Sequence, residues 1–293
     1  MCPIGAKFYP RPERHVTDFL ARMADASHDR VVASKTVRPE SVVRAEALDS
    51  PTPLVPVIRR GEFNIIAEVK RRSPSAGHLT GNPADSQVTI ADRARSYKRG
   101  GARAISVLTE PSEFCGDLSD VSAVAQACEV PVMRKDFLID SYQVFEARVA
   151  GASGVLLIVR MVDQACLRKM IQAAAHLGLF VLLEAFDESD IGRVRDAVAV
   201  AKDHSATVFV GVNTRDLVTL EVDRSRLAAL ASLLPDDAVR IAESGTNSPD
   251  DARYAASLDY DGILVGSALM RASDPENLVN AMLTAGRKEA MRS

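Results

Sequence analysis

Eight short runs of strand-forming residues, each followed by an amphipathic stretch of helical length, recur from Asn64 to near the end of the chain. The runs are NIIAEVK (64–70), AISVL (104–108), PVMRK (131–135), GVLLIV (154–159), LFVLLEA (179–185), TVFVGVN (207–213), AVRIAE (238–243) and DGILVG (261–266). The helical stretches lie around 85–99, 118–128, 141–150, 163–177, 187–202, 224–233, 249–257 and 275–287. Ser248-Pro249 supplies an N-cap and a first helical residue, and Gly151 and Gly178 stand where helices end. Strands this continuously apolar belong to a parallel sheet covered by helices. Eight strand–helix units are the number that closes such a sheet into a barrel. An open doubly wound sheet is the competing architecture, but no G-x-G-x-x-G follows the first strand. The expectation is an α/β fold, a (β/α)8 TIM barrel with an N-terminal helical extension.

That extension covers residues 1–60, and the barrel residues 61–293. Val16, Phe19, Leu20, Met23, Ala26 and Val31 recur at roughly helical spacing, and a second short helix runs from Pro39-Glu40 to about Leu48. Ser50-Pro51-Thr52-Pro53 then breaks the pattern. The extension reads as a lid or brace packed on the barrel mouth.

In such a barrel the chemistry sits at the carboxyl ends of the strands. The first strand ends in Glu68 and Lys70, which alternation places on one face. Taken alone they are equally a structural ion pair or a catalytic one, since burying both charges is costly without a use. The third strand ends in Lys135, the fifth in Glu184, the sixth in Asn213, the seventh in Glu243-Ser244-Gly245 and the eighth in Gly266-Ser267. Phe180, Leu182 and Glu184 share a face, as do Phe209, Gly211 and Asn213, and Met133 with Lys135. The two glycine turns, Ser244-Gly245-Thr246 and Gly266-Ser267-Ala268, are expected to expose backbone N–H groups to a phosphate, each with a helix start behind it. Two lysines, two carboxylates, an asparagine and a phosphate grip on one rim point to acid–base chemistry on a sugar phosphate.

Composition removes other classes. A net charge of −3 gives no electrostatic case for nucleic acid or an anionic membrane, and the apolar runs are strand-sized. The four cysteines have no C-x-x-C spacing and the five histidines form no H-x-H or H-E-x-x-H pair, so neither a metal site nor a disulfide framework is expected. Met1-Cys2-Pro3 leads into charged and polar residues rather than an apolar signal core, the pattern of a cytoplasmic protein.

The ordered motifs IIAEVKRRSPSAG (65–77), ISVLTE (105–110), PVMRKDFLID (131–140), YQVFEARVAGA (142–152), GVNTRDL (211–217), AESG (242–245) and LVGSALMR (264–271) resemble the indole-3-glycerol phosphate synthase family. The match covers about residues 64–275 and is looser before. The resemblance implies a carboxy-lyase of tryptophan biosynthesis that closes the ring of 1-(2-carboxyphenylamino)-1-deoxyribulose 5-phosphate, with loss of carbon dioxide and water and no cofactor. It implies Lys135 as the general acid on the ketone, and Glu184 with Lys70 beside it as proton carriers in dehydration. Glu68 holds and tunes the lysines, and Asn213 positions Glu184 or the substrate hydroxyls. Ser244, Gly245, Gly266, Ser267 and Lys70 match the phosphate site. Ser73 matches a loop position near the reacting carboxylate, and Arg215 the flank of that region. Phe114, Phe137, Leu156, Leu217 and Pro74 match the apolar walls around the anthranilate ring, with Leu156 better explained by core packing. Neighbouring positive charge and partial burial should lower the lysine pKa values, opposed by Glu68 and Glu184. The expected partner is a small sugar phosphate carrying an anthranilate ring, the expected assembly a monomer or weak homodimer.

The chain departs from the family pattern at Phe186 (usually histidine), Asp117 (usually serine), Thr214 and Thr246. These leave room for a paralogous barrel enzyme of a specialised indole pathway. A phosphoribosylanthranilate isomerase fits poorly, because the first strand ends in Glu-Val-Lys rather than a cysteine–aspartate arrangement. A non-catalytic barrel subunit predicts an eroded rim, which the residues above contradict.

Overall fold

Alternating side chains on the eight apolar runs give each strand an inner and an outer face, and both faces are buried in the computed structural model. Residues 19–73, 77–78, 88–216 and 219–292 are described, 73, 77 and 78 by backbone alone. The strands are β1 (Asn64–Val69), β2 (Ala104–Leu108), β3 (Val132–Lys135), β4 (Gly154–Ile158), β5 (Phe180–Ala185), β6 (Val208–Asn213), β7 (Val239–Glu243) and β8 (Gly262–Val265). Each is parallel to the next and β8 closes on β1. The register sets Glu68 beside Ser106, Glu184 beside Gly211 and Asn213 beside Glu243.

The inner faces build one core from Ile66, Met133, Leu156, Phe180, Leu182, Phe209, Ile241 and Leu264. Phe180 and Phe209 stack with centroids 5.6 Å apart. Ile65, Val69, Val107, Val155, Val181 and Val210 face outward into a second, larger core beneath the helices. Burying a Leu, Ile or Phe contributes roughly 1.5–3 kcal/mol each, so these two layers hold the rim in place.

Before the barrel come α1 (Phe19–Val37) and α2 (Glu40–Asp49). α1 buries Phe19, Met23, Ser27 and Val31, an i, i+4 stripe in which serine stands at a core position. Ser27 earns it by accepting a 2.8 Å hydrogen bond from Gln143 Nε2, itself buried. α1 runs on to Val37, beyond Val31, the last apolar position of the helical spacing read from the sequence. At the opposite end of the barrel Ile58 joins Phe209 and Val239 in the inner core, and Arg60 pairs with Asp261 at 2.7 Å.

Between strands lie α3 (Ile90–Arg99), α4 (Pro111–Phe114), α5 (Leu118–Ala127), α6 (Ser141–Val149), α7 (Gln164–His176), α8 (Glu188–Asp203), α9 (Ser225–Ala231), α10 (Pro249–Ser257) and α11 (Ser267–Arg271), with α12 (Pro275–Ala290) last. Thr89, Asp140 and Ser248 close capping boxes on α3, α6 and α10. Asp117 caps α5 through the Ser119 N–H at 2.7 Å, so this departure preserves the capping function of a serine. α4 and α11 are short turns that apolar periodicity cannot reveal.

Candidate active site

The strand ends converge on a cavity of about 430 Å³ at the carboxyl side of the barrel. Glu68, Lys70, Lys135, Glu184, Asn213, Arg215, Ser244, Gly245, Gly266, Ser267, Phe114 and Phe137 all line it, as the sequence reading expects. Pro74, Leu217 and the Ser73 side chain lie outside the described part of the structure.

Two ion pairs organise the cavity floor. Lys70 Nζ lies 2.6 Å from Glu68 Oε1, and Lys135 Nζ lies 3.2 Å from Glu184 Oε2. Lys70 is therefore matched with Glu68, and Glu184 with the other lysine. Burial pushes the Glu68 carboxyl up, but Lys70 and then Lys135 outweigh it and hold the group below its ordinary value. For Lys135, burial alone would lower the ammonium pKa. Glu184, its direct partner, and Glu68 reverse the sign, so the group is raised. This settles the opposed influences noted from sequence in favour of the carboxylates: Lys135 is held protonated.

Glu243 is the functional residue that the sequence reading passed over, though alternation puts it on the inner face with Ile241. Its Oε2 is 4.0 Å from Lys135 Nζ. Both its oxygens are buried, and neither receives a hydrogen bond from a donor. Burial first, and the adjacent Glu184 next, raise its carboxyl well above the ordinary range, in hydrogen-bond contact with Glu184. Two acceptors facing each other need a proton between them, so Glu243 is a neutral acid. It fits because Gly211 of the adjoining strand β6 has no side chain: a Cβ there would stand 1.9 Å from Glu243 Oε1.

At one end of the cavity the two glycine turns differ from expectation. Gly266 is followed at once by α11, but α10 begins only at Pro249, five residues beyond Ser244. The first turn instead places Ser244 (φ 65°) and Gly245 (φ 71°) consecutively in the left-handed region, a strained arrangement for serine. Thr246 and Arg271 line the same end. Thr214, fully buried, donates its backbone N–H to the Glu243 carbonyl at 3.0 Å and so ties the ends of β6 and β7. Arg215 turns its guanidinium to the Leu220 carbonyl at 2.7 Å, and burial lowers its pKa against the opposing field of Glu68.

Gly266 has a second duty. A Cβ there would fall 2.3 Å from Glu68 Oε1, so the carboxylate that holds Lys70 occupies the space of the missing side chain. Gly266→Ala is expected to lower kcat as well as raise KM, with kcat/KM down about 100-fold, the cost of a misplacement near 1 Å. Steady-state kinetics check this, and a change confined to KM would leave only the anion-binding role.

The opposite end is apolar. Phe19 of α1 packs edge-on against Phe137 at 5.7 Å between centroids, and Phe114 lies 6.2 Å from Phe137. Leu156 and Ile158 complete this wall from the barrel interior. Phe186 is buried in the same core with the Arg160 guanidinium 4.9 Å over its ring.

Fold and cavity together define a (β/α)8-barrel enzyme with paired carboxyl and ammonium groups at its mouth. In solved structures the fold recurs in 3-hexulose-6-phosphate synthase from Salmonella typhimurium (TM-score 0.59, 17% identity, 77% of this chain and 99% of that one). It recurs also in thiamine phosphate pyrophosphorylase from Pyrococcus furiosus (TM-score 0.53, 16% identity, 78% and 96%). The family model for indole-3-glycerol phosphate synthase matches residues 20–282. Relatives bearing that name come from Parafrankia sp. (42% identical over 85% of this chain and 88% of theirs) and Nocardioides sp. (45% over 80% and 85%). The chain belongs to the indole-3-glycerol phosphate synthase family.

Proposed function

We propose that this chain converts 1-(2-carboxyphenylamino)-1-deoxyribulose 5-phosphate to indole-3-glycerol phosphate, as a carboxy-lyase of tryptophan biosynthesis. The observation that carries the reading is the Lys135 ammonium, flanked by Glu184 and Glu243 between an apolar wall and the glycine turns. The aromatic ring packs against the wall formed by Phe114 and Phe137, and the phosphate sits against the backbone of Ser244, Gly245, Gly266 and Ser267. That placement sets the ketone over Lys135. The carboxyl-bearing ring carbon attacks the ketone carbon while Lys135 protonates the ketone oxygen. Carbon dioxide then leaves with its bonding pair returned to the ring, which restores aromaticity. The new hydroxyl departs as water with a proton from Lys70, and Glu184 takes a proton from the neighbouring carbon. Glu68 fixes Lys70, Asn213 orients substrate hydroxyls, and Arg215 flanks the anionic end of the substrate.

Within this reading the described part of the 1–60 extension, residues 19–60, is braced on the mouth, which the Phe19–Phe137 contact supports, residues 1–18 lie outside the described residues, and 61–293 are the catalytic barrel. The enzyme acts in the cytoplasm as a monomer or weak homodimer, without nucleic acid or membrane. Among the described residues no helix is long and apolar enough to cross a membrane. Incubating the chain with the carboxyphenylamino substrate should produce indole fluorescence and one equivalent of carbon dioxide. Substrate that binds without either signal would refute the assignment.

A further inference from the structure

We infer that Arg30 of α1 is a positioning residue for the reaction, clamping the two loops that carry Lys135 and the apolar wall. The inference rests on the functional reading above. One guanidinium reaches two carboxyl groups from different strand ends: NH2 lies 3.0 Å from Asp136 Oδ1, and NH1 3.5 Å from Glu110 Oε1. Both acidic side chains are almost wholly buried, at 1% and 0% exposure, while Arg30 itself is 28% exposed.

Each carboxyl group already organises a part of the site. Glu110 follows β2 and accepts the backbone N–H groups of Ser112, Glu113 and Phe114, which folds α4 and sets Phe114 at the cavity. Asp136 stands between Lys135 and Phe137. It accepts the Phe137 N–H at 2.8 Å, Thr109 Oγ1 at 2.8 Å and Arg134 NH2 at 3.1 Å. The loop after β3 is also held by α1 elsewhere: Phe19 on Phe137, Ser27 on Gln143, and Lys35 Nζ on Asp140 Oδ2 at 2.9 Å. Arg30 differs from those contacts because its planar fork bridges both loops at once. Without it, two desolvated acidic groups lose a shared cation, and the loops lose their common anchor.

Arg30→Met keeps much of the length and loses the charge. It is expected to raise KM and lower kcat, with kcat/KM down about 10- to 100-fold. Inhibition by inorganic phosphate, whose proposed site at the glycine turns and Lys70 includes neither Asp136 nor Glu110, stays at the parental value. Arg30→Lys recovers part of the loss, since an ammonium can meet one carboxylate but does not fork to both. Hydrogen exchange at the Ser112–Phe114 and Phe137 amides should quicken in Arg30→Met, ahead of exchange in the barrel strands. Parental kinetics and exchange in both variants would overturn the assignment. So would a loss shared equally by phosphate inhibition and thermal stability, which marks general destabilisation. A parent chain that fails to make the indole product refutes the functional reading instead, while the exchange measurement still decides the clamp.

Discussion

Lys135→Met is expected to lower kcat about 1,000-fold or more, with KM changed little and the barrel folded. The ammonium sits at the cavity wall 3.2 Å from Glu184, and its nearest carboxyl groups raise its pKa, so the protonated form needed at the ketone oxygen is present at neutral pH. A 1,000-fold loss is about 4 kcal/mol of transition-state stabilisation, within the range of one positioned acid. Removing the cation also leaves the buried Glu184 carboxylate without its direct ion-pair partner. A modest fall in Tm is the expected signature. Lys135→Arg separates charge from proton transfer: guanidinium preserves the field but is too weak an acid to give up its proton. It should bind substrate and remain inactive. A Lys135→Arg variant with a tenth of the parental kcat would show that the positive field alone suffices.

Much of this site was legible before the coordinates because barrel topology turns a one-dimensional pattern into a rim. Once the period-two runs are found, the last inward residue of each is fixed, so Lys135, Glu184 and Asn213 could be named from alternation alone. Glu243 obeys the same rule, but its burial against Glu184 is a property of the folded barrel. The direction of the Lys135 shift is not readable from sequence, since it depends on how closely Glu184 and Glu68 approach the ammonium against the cost of burial. The Arg30 clamp was hidden for the same reason, its partner Asp136 being 106 residues distant. Ser27 was missed because a polar residue in a helical stripe scores as surface until its buried partner, Gln143, is known. α4 escaped because its cap is a glutamate, outside the usual N-cap residues.

Glu184→Gln and Glu243→Gln should differ sharply although the two carboxyl groups touch. Glu184 is the direct partner of Lys135 and the proposed proton acceptor, so its amide loses about 100- to 10,000-fold in kcat. Glu243 is already neutral in the folded enzyme, raised from an ordinary 4.5 by burial and by Glu184, and glutamine reproduces its shape and charge. At neutral pH Glu243→Gln is expected to keep kcat within about tenfold, since one neutral hydrogen-bonding group replaces another. The contrast should grow with pH. A carboxyl group with a raised folded pKa binds its proton more tightly in the native state, so its stabilising effect is complete below the unfolded value and is lost as pH rises through the folded one. Parental stability and rate should therefore fall on the alkaline side as Glu243 ionises against Glu184, and Glu243→Gln should lack that component. Tm and kcat measured across pH 5–9 test this together, a window that extends from near the ordinary carboxyl range to well above it. If Glu243→Gln loses as much activity as Glu184→Gln at neutral pH, Glu243 works as an anion, and the shared proton is wrong. Gly211→Ala gives a structural control, because its Cβ would collide with Glu243 Oε1 and expel the carboxyl group whatever its charge. The glycine variant should consequently be worse than Glu243→Gln, which locates the requirement in the space beside β6 rather than in a negative charge on β7.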